Sequence, residues 1–326
     1  MALENDQATD RDAVVDPLRP GPDDAFAGLG IDEGSPLAAE MISTERKRRS
    51  LESQDFPRPR KTRVFAVTNQ KGGVGKTTST VNVAAALASQ GAHVLVIDSD
   101  PQGNASTALG AEHRSGTPSI YDVLLEDMPI EDAAQVCPDI PTLWCVPATI
   151  DLAGADVELV SLNRREYRLR DAVTRLLETR GDDLDYILID CPPSLGLLTL
   201  NALVVASEVL IPIQCEYYAL EGLTQLIHTI DMVTKHLNPE LHISTIVLTM
   251  YDQRTNLARE VANEVRTHFP SQTLEQTVPR SVRVSEAPGF GKTVITHDPR
   301  SSGAVAYLAV ARDIAVRGAA EAEKQK

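Results

Sequence analysis

From Arg63 onward, short apolar runs alternate with longer stretches of helical period. Residues 64–68, 94–98, 143–146, 186–190, 209–213 and 243–250 are apolar at successive positions and bounded by turn residues, which predicts strands buried on both faces. Between them, apolar side chains recur at helical spacing over residues 77–90, 159–177, 220–237 and 257–269, and again over 302–317. Such alternation calls for a parallel sheet, and right-handed crossovers then put helices on both of its faces. The expected fold is therefore a doubly wound α/β domain with a mostly parallel sheet, spanning residues 63–318. Residues 1–62 keep no sustained period of 2 or 3.6 and are rich in Asp, Glu, Pro, Gly and Arg, so a disordered charged tail is expected there. Residues 319–326 are expected as a flexible end.

Composition narrows the classes. Of 326 residues 42% are hydrophobic but only 4% aromatic, which suits Val/Ile/Leu-rich strands better than an aromatic-lined sandwich. The formal charge is −15, so the bulk field repels nucleic acid and anionic membranes, and any DNA contact requires a local patch. Cys137, Cys145, Cys191 and Cys215 show no C-x-x-C spacing and no pairing with nearby histidines, which argues for a reduced cytosolic compartment and against a disulfide scaffold or zinc site. No apolar run reaches the roughly 18 residues of a membrane span, and the acidic N-terminus is unlike a signal peptide. Within the tail, residues 1–40 sum to −8 and residues 41–62 to +4, including the run Arg46-Lys47-Arg48-Arg49. That run reads either as solvated linker or as an added non-specific DNA contact.

The strongest chemical signal is Gln70-Lys71-Gly72-Gly73-Val74-Gly75-Lys76-Thr77-Thr78, between the first expected strand and the first helix. A phosphate-binding loop needs that context. Glycines there let backbone N–H groups surround phosphates at a helix N-terminus. Lys76 would reach the β- and γ-phosphates, the Thr77 hydroxyl would ligate Mg²⁺, and Thr78 can bond the α-phosphate. The strict pattern fails at Gln70, where its first Gly should stand, and a second lysine, Lys71, opens the loop. A Gly-rich turn with exposed lysines is the plainer alternative, but the string 71–77 should arise by chance on the order of once in 10⁴–10⁵ such chains.

The string K-G-G-V-G-K-T resembles the deviant Walker A motif of ParA/MinD-type ATPases. The resemblance implies a P-loop NTPase fold, ATP with Mg²⁺, and a homodimer that sandwiches two nucleotides, with Lys71 crossing to the partner's nucleotide and Gly72 at the close subunit contact. Two further apolar runs end in carboxylates, at Asp98-Ser99-Asp100-Pro101-Gln102-Gly103-Asn104 and at Asp190-Cys191-Pro192-Pro193-Ser194. Two carboxylates two residues apart fall on one side of a strand end, beside the phosphates. Asp98 then serves as a Mg²⁺ partner through water, and Asp100 orients or deprotonates the attacking water. Asp190 reads as a Walker B carboxylate reaching Mg²⁺, and Cys191 as a small buried packing residue. A polar turn opened by Asp-Pro remains the plainer account of the first run. Both runs are similar to the family's switches I and II. The segment 214–222 also matches the family, with no firm chemical role.

Residues 251–300 sum to +1 against −11 for residues 63–326, and they hold Arg254, Arg280 and Arg283, followed by Lys292 and Arg300. Arginines without an aromatic recognition surface suit phosphate contact rather than base reading. Alternatively they pair with Asp252 and Glu286. The family resemblance implies sequence-independent DNA contact by Arg254 and Arg283, and framing of the adenine by Pro279 and Ser281, with Met250 a looser candidate. Relatives often carry Asn where this chain has Ser281, which would weaken a base contact. Taken together these imply a ParA-type ATPase, cytoplasmic and nucleoid-associated. It would bind non-specific double-stranded DNA as an ATP-bound homodimer, turn over slowly alone and be released by a ParB-type centromere-binding partner. A MinD-like membrane-cycling ATPase is the alternative, but the residues after Ala315 are Ala-rich and nearly neutral, a weak hydrophobic face for a bilayer. A relative of nitrogenase iron protein would need paired cysteines for a shared cluster, and one of dethiobiotin synthase a substrate pocket that the sequence does not reveal.

Overall fold

The computed structural model describes residues 36–180, 183–217 and 219–324. It divides into a unit ending at Arg46 and a unit running from Lys47 to Lys326.

The second unit is built on an eight-stranded sheet. Its strands are β1 (Arg63–Val67), β2 (Val94–Asp98), β3 (Gln135–Val136), β4 (Leu143–Val146), β5 (Tyr186–Asp190), β6 (Glu208–Gln214), β7 (His242–Tyr251) and β8 (Thr273–Pro279). Their spatial order is β3-β4-β2-β5-β1-β6-β7-β8, parallel throughout except for the antiparallel β3–β4 edge. Alternate residues of each central strand serve opposite cores. Val64, Ala66, Leu95, Ile97, Ile187 and Ile189 face one, and Phe65, Val67, Val94, Val96, Tyr186 and Leu188 the other. Each fully buried aliphatic side chain contributes about 1.5–3 kcal/mol relative to exposure. The helices Lys76–Ser89 and Ser302–Lys324 cover the second core, while Arg168–Arg180, Leu197–Val205, Ala219–His236 and Asn256–His268 lie over the first. The doubly wound α/β architecture follows directly.

At the strands' N-terminal end, Arg63 is buried on the Glu208 carboxylate through Nε and a terminal nitrogen, both at 2.7 Å, and donates to the Ile314 carbonyl at 2.6 Å. This ties β1, β6 and the C-terminal helix together, and Gly318 leaves room for the guanidinium.

Several elements differ from expectation. The stretch expected as one helix from residue 159 to 177 is interrupted by a turn in which Arg164 takes φ 54°, and the helix proper is Arg168–Arg180. Ser161, Asn163 and Arg164 break the apolar stripe there. Strand β8 was hidden by Glu275 and Gln276, whereas Leu274 and Val278 are buried, and its terminal Pro279 is tolerated on an edge strand. Leu197–Val205, apolar except for Thr199 and Asn201, is a helix between β5 and β6. Of the expected disordered tail, residues 1–35 lie outside the described residues, and the rest carries structure. Pro36–Glu52 is a helix, with an Arg48–Glu52 pair one turn apart and Leu51 buried in the second core. Thr62 donates to the Leu184 carbonyl at 2.7 Å. The last helix continues through the expected flexible end to Lys324.

Candidate nucleotide site and basic edge

The central strands β2, β5 and β1 deliver their C-terminal ends to one place. Asp98 and Asp190 are register partners across β2 and β5, and Val67, the last residue of β1, pairs with Asp190 on the other side. The loop 68–75 leaves β1 at that edge and enters the helix Lys76–Ser89. Gly73 (φ 75°) and Gly75 (φ 88°) hold left-handed conformations that side chains strain to adopt, so these two glycines shape the loop. Gly72 is different: among the described residues no atom lies within 4 Å of where its Cβ would stand. Val74 is buried and anchors the loop, and its carbonyl accepts the Thr249 hydroxyl of β7 at 2.8 Å. Asn69 holds the loop's start, donating to the Pro212 carbonyl at 2.9 Å and accepting the Lys71 N–H at 3.1 Å.

The two lysines are held differently. Lys76 is buried, its Nζ 3.3 Å from the Lys71 carbonyl. Burial pushes its ammonium pKa down, against the pull of Asp190 and Asp100. Lys71 instead points to Glu216, Nζ to Oε2 at 3.2 Å, which gives the segment after β6 a definite partner.

The carboxylates crowd together. Asp190 accepts the Thr77 hydroxyl at 2.7 Å and the Thr80 hydroxyl at 2.9 Å. Asp98 takes the Ser106 hydroxyl at 2.6 Å, the Ser106 N–H at 2.8 Å and the Asp100 N–H at 3.2 Å. Asp100 is buried and accepts the Gln102 N–H at 3.0 Å. Burial, together with the neighbouring carboxylates, pushes Asp190 up to about 8 and Asp98 up to about 6. Oxygen-rich, crowded and short of positive charge, this cluster with the Thr77 hydroxyl has the donor set a hard divalent cation takes. Thr78 opens onto a cavity of about 260 Å³ bounded also by Val81, Asn104, Val284, Pro288 and Lys292. Another cavity, about 410 Å³ and walled by His93, Leu95, Trp144 and Leu176, lies toward the strands' other end and is separate from these groups. Cys191 is buried against the site, its thiol pKa pushed up by burial.

Of the expected base-framing and DNA residues, Met250 and Pro279 lie at the ends of the neighbouring strands β7 and β8, and Arg254, Arg280, Ser281 and Arg283 follow those strands. Tyr251 is the register partner of Pro279, so the turn bearing Arg254 and the turn bearing Arg280 and Arg283 leave the same sheet edge as the phosphate loop. Met250 takes φ 50° near the end of β7, and Ser281 stands at the N-cap position of the short helix Val282–Glu286 without a side-chain capping bond. Arg254 is 85% exposed and doubly bonded to Asp252, holding that carboxyl down at about 2. Arg283 is 59% exposed and pairs with Glu286 and Asp298. Arg280 is exposed. The salt-bridge partners suspected from sequence are thus present. At such exposure solvent screens each pair, so a phosphate competes with it readily.

Sequence reasoning passed over Thr80, Ser106, Thr249 and Asn69. Thr80 had a signal, three residues after Thr77 on one helix face. Thr249 and Asn69 act across the sheet, and Ser106 acts from the short helix Asn104–Ala108 that follows β2.

A family model described as an AAA domain matches residues 62–243. The chain is 51% identical to the chromosome partitioning protein ParA of Myxococcus xanthus over 81% of its length and 92% of that protein's. It is 50% identical to the sporulation initiation inhibitor protein Soj of Bacillus subtilis, over 78% of this chain and 99% of that one. Among solved structures, a protein from Mycobacterium smegmatis titled cobyrinic acid a,c-diamide synthase, with ADP and magnesium bound, is 38% identical at a TM-score of 0.66, covering 78% of this chain and 94% of that one.

Proposed function

The chain belongs to the ParA/Soj family of chromosome-partitioning ATPases, and from that premise we propose that it moves DNA by an ATP-gated dimer cycle. In this reading the protein is cytoplasmic and nucleoid-associated. Its ATP-bound homodimer holds double-stranded DNA without sequence preference. A ParB-type centromere-binding partner stimulates hydrolysis and release.

The observation that carries the proposal is the shared edge. The phosphate loop is bonded through Val74 to Thr249 of β7, whose last residue, Tyr251, is the register partner of Pro279, so the segment bearing Arg254 and the segment bearing Arg280 and Arg283 both start from that edge. A nucleotide that fixes the loop therefore also fixes the base of the basic turns. One protomer offers few cations, and pairing two of them about doubles the phosphates neutralised.

Gly73, Val74, Gly75, Lys76, Thr77 and Thr78 would cradle the phosphates, and Met250, Pro279 and Ser281 would border the base. Thr77 and Asp190 would hold Mg²⁺, with Asp98 through water, and the ion would supply charge that offsets the phosphates' own. Asp100 orients the attacking water and accepts its proton. Lys71 must leave Glu216 to reach a partner's phosphate, and the open space around Gly72 admits that partner's backbone.

One observation weighs against the membrane-cycling alternative: the C-terminal helix buries Val305, Leu308, Val310 and Ile314 in its own chain.

The replacement Arg254→Glu with Arg283→Glu tests the DNA interface. A gel-shift titration is expected to show affinity reduced by on the order of a hundredfold or more, since a dimer loses about four phosphate contacts. ATP-dependent dimerisation, followed by size exclusion, should be unchanged; wild-type DNA affinity in this variant would remove these arginines from the interface.

Asp98 and Asp190 keep protons in the folded state to a higher pH than in the unfolded chain. From about pH 4 to about pH 8 the folded state therefore binds more protons, and stability falls as pH rises. A cation on these carboxylates offsets that loss. Thermal unfolding should show a larger stabilisation by Mg-ATP at about pH 8 than at about pH 6, corrected for ATP's own titration. Equal increments would place the ion elsewhere.

A further inference from the structure

The chain that follows Arg283 carries an aromatic ring that no step of the nucleotide cycle uses. Ala287–Phe290 is a single 3₁₀ turn anchored by the fully buried Ala287. Two backbone bonds close it, from the Gly291 N–H to the Pro288 carbonyl at 3.0 Å and from the Lys292 N–H to the Ala287 carbonyl at 3.2 Å. Gly291 takes φ 64°, the left-handed conformation that such an ending needs. Phe290 stands at the end of this turn and is 67% exposed. Its ring stacks on His297, with centroids 4.9 Å apart and planes 23° from parallel. A single exposed apolar side chain is ordinary, but the surroundings of this one are not.

Cations share the surface. Arg283 Nε lies 3.4 Å from Asp298, and Phe290 lies on His297, so guanidinium and ring lean on consecutive residues. Val282, beside Arg283, is 71% exposed. Over residues 280–300, Arg280, Arg283, Lys292 and Arg300 face only Glu286 and Asp298, a local excess of positive charge in a chain carrying −15. Seven positions separate Arg283 from Phe290 in sequence, and the fold brings both to the segment 297–298.

A guanidinium beside an accessible ring is the pairing that grips a nucleic-acid strand, the cation on phosphate and the ring on a base. Bases in an intact duplex are stacked on one another, so the ring gains most from the unstacked bases of a single strand. A basic peptide is disfavoured by the same local charge. The platform is also tied to the phosphate loop's helix. His297 ends the short helix Val294–His297, whose first N–H is accepted by Asn82 Oδ1 at 2.8 Å, and Asn82 donates to the Thr78 carbonyl at 2.7 Å.

We propose that Phe290, backed by His297 and flanked by Arg283, is a stacking platform for an unpaired base, so that this edge binds single-stranded DNA through base as well as phosphate contact. The inference rests on the reading of the edge as a nucleic-acid surface and adds the single strand to its substrates.

The test uses the full chain with a non-hydrolysable ATP analogue and two fluorescein-labelled strands of about 20 nucleotides, one all thymidine and one abasic throughout. Both carry the same phosphates, so charge cancels from the comparison. Anisotropy should show the thymidine strand bound on the order of tenfold more tightly. Phe290→Ala should abolish that difference and Phe290→Tyr should keep it, both with the wild-type melting temperature and duplex affinity. Equal binding of the two strands by the wild type, or a preference that survives in Phe290→Ala, overturns the platform and leaves duplex binding untouched. Loss of ATP-dependent dimerisation in Phe290→Ala would assign the ring to a contact between copies, which also overturns it. Binding of neither strand nor duplex would remove the platform together with the DNA-cycle reading, an outcome distinct from the other two.

Discussion

Lys76→Ala is expected to abolish ATP binding and DNA binding together. Its ammonium is buried at the head of the helix and is the cation that balances Asp190 and Asp100. Truncation removes a charge-assisted phosphate contact, worth about 1.5–3 kcal/mol, and leaves the carboxylates to repel the triphosphate. A loss of ATP affinity on the order of a hundredfold or more follows, measurable with a fluorescent ATP analogue. DNA affinity should drop to the nucleotide-free level in a gel-shift assay run beside it. Retained DNA affinity would mean that the basic edge works without the nucleotide.

Asp100→Ala separates the two halves of the cycle. Removing a group that positions and deprotonates water costs about 10²–10⁴ in turnover. Among the described residues the Asp100 side chain accepts the Gln102 N–H, whereas the Asp98 bond is made by the Asp100 backbone, so the strand end should survive. Phosphate release is expected to fall by at least about a hundredfold, while the ATP-bound dimer accumulates and keeps DNA. Unchanged turnover would assign the water to another group.

Much of the fold and of the nucleotide site is legible in the amino-acid sequence. Strands such as Val94–Asp98 announce themselves because burial on both faces leaves no polar position to confuse the pattern, and their carboxylates stand out at the ends. The loop with its two lysines is equally plain. Other parts depend on what meets across the fold. Thr249 gains its role only because β7 lies beside the phosphate loop, and Ser106 because a turn brings it back onto Asp98. Glu216 has a role only because the fold sets Lys71 against it. Helix Pro36–Glu52 escapes detection because its sequence offers hardly any apolar stripe; Leu51 fixes its end in the core where periodicity could not.

In the proposed cycle, nucleotide-driven pairing creates the DNA-binding surface. A DNA-binding titration across salt, with a non-hydrolysable ATP analogue, with ADP and with neither, tests it most directly when sedimentation of the same samples reports mass. A dimer is expected only with the analogue, with a slope of log affinity against log salt about twice that of the other states. A chain that stays monomeric with the analogue, or binds DNA with one slope in all three states, would contradict it.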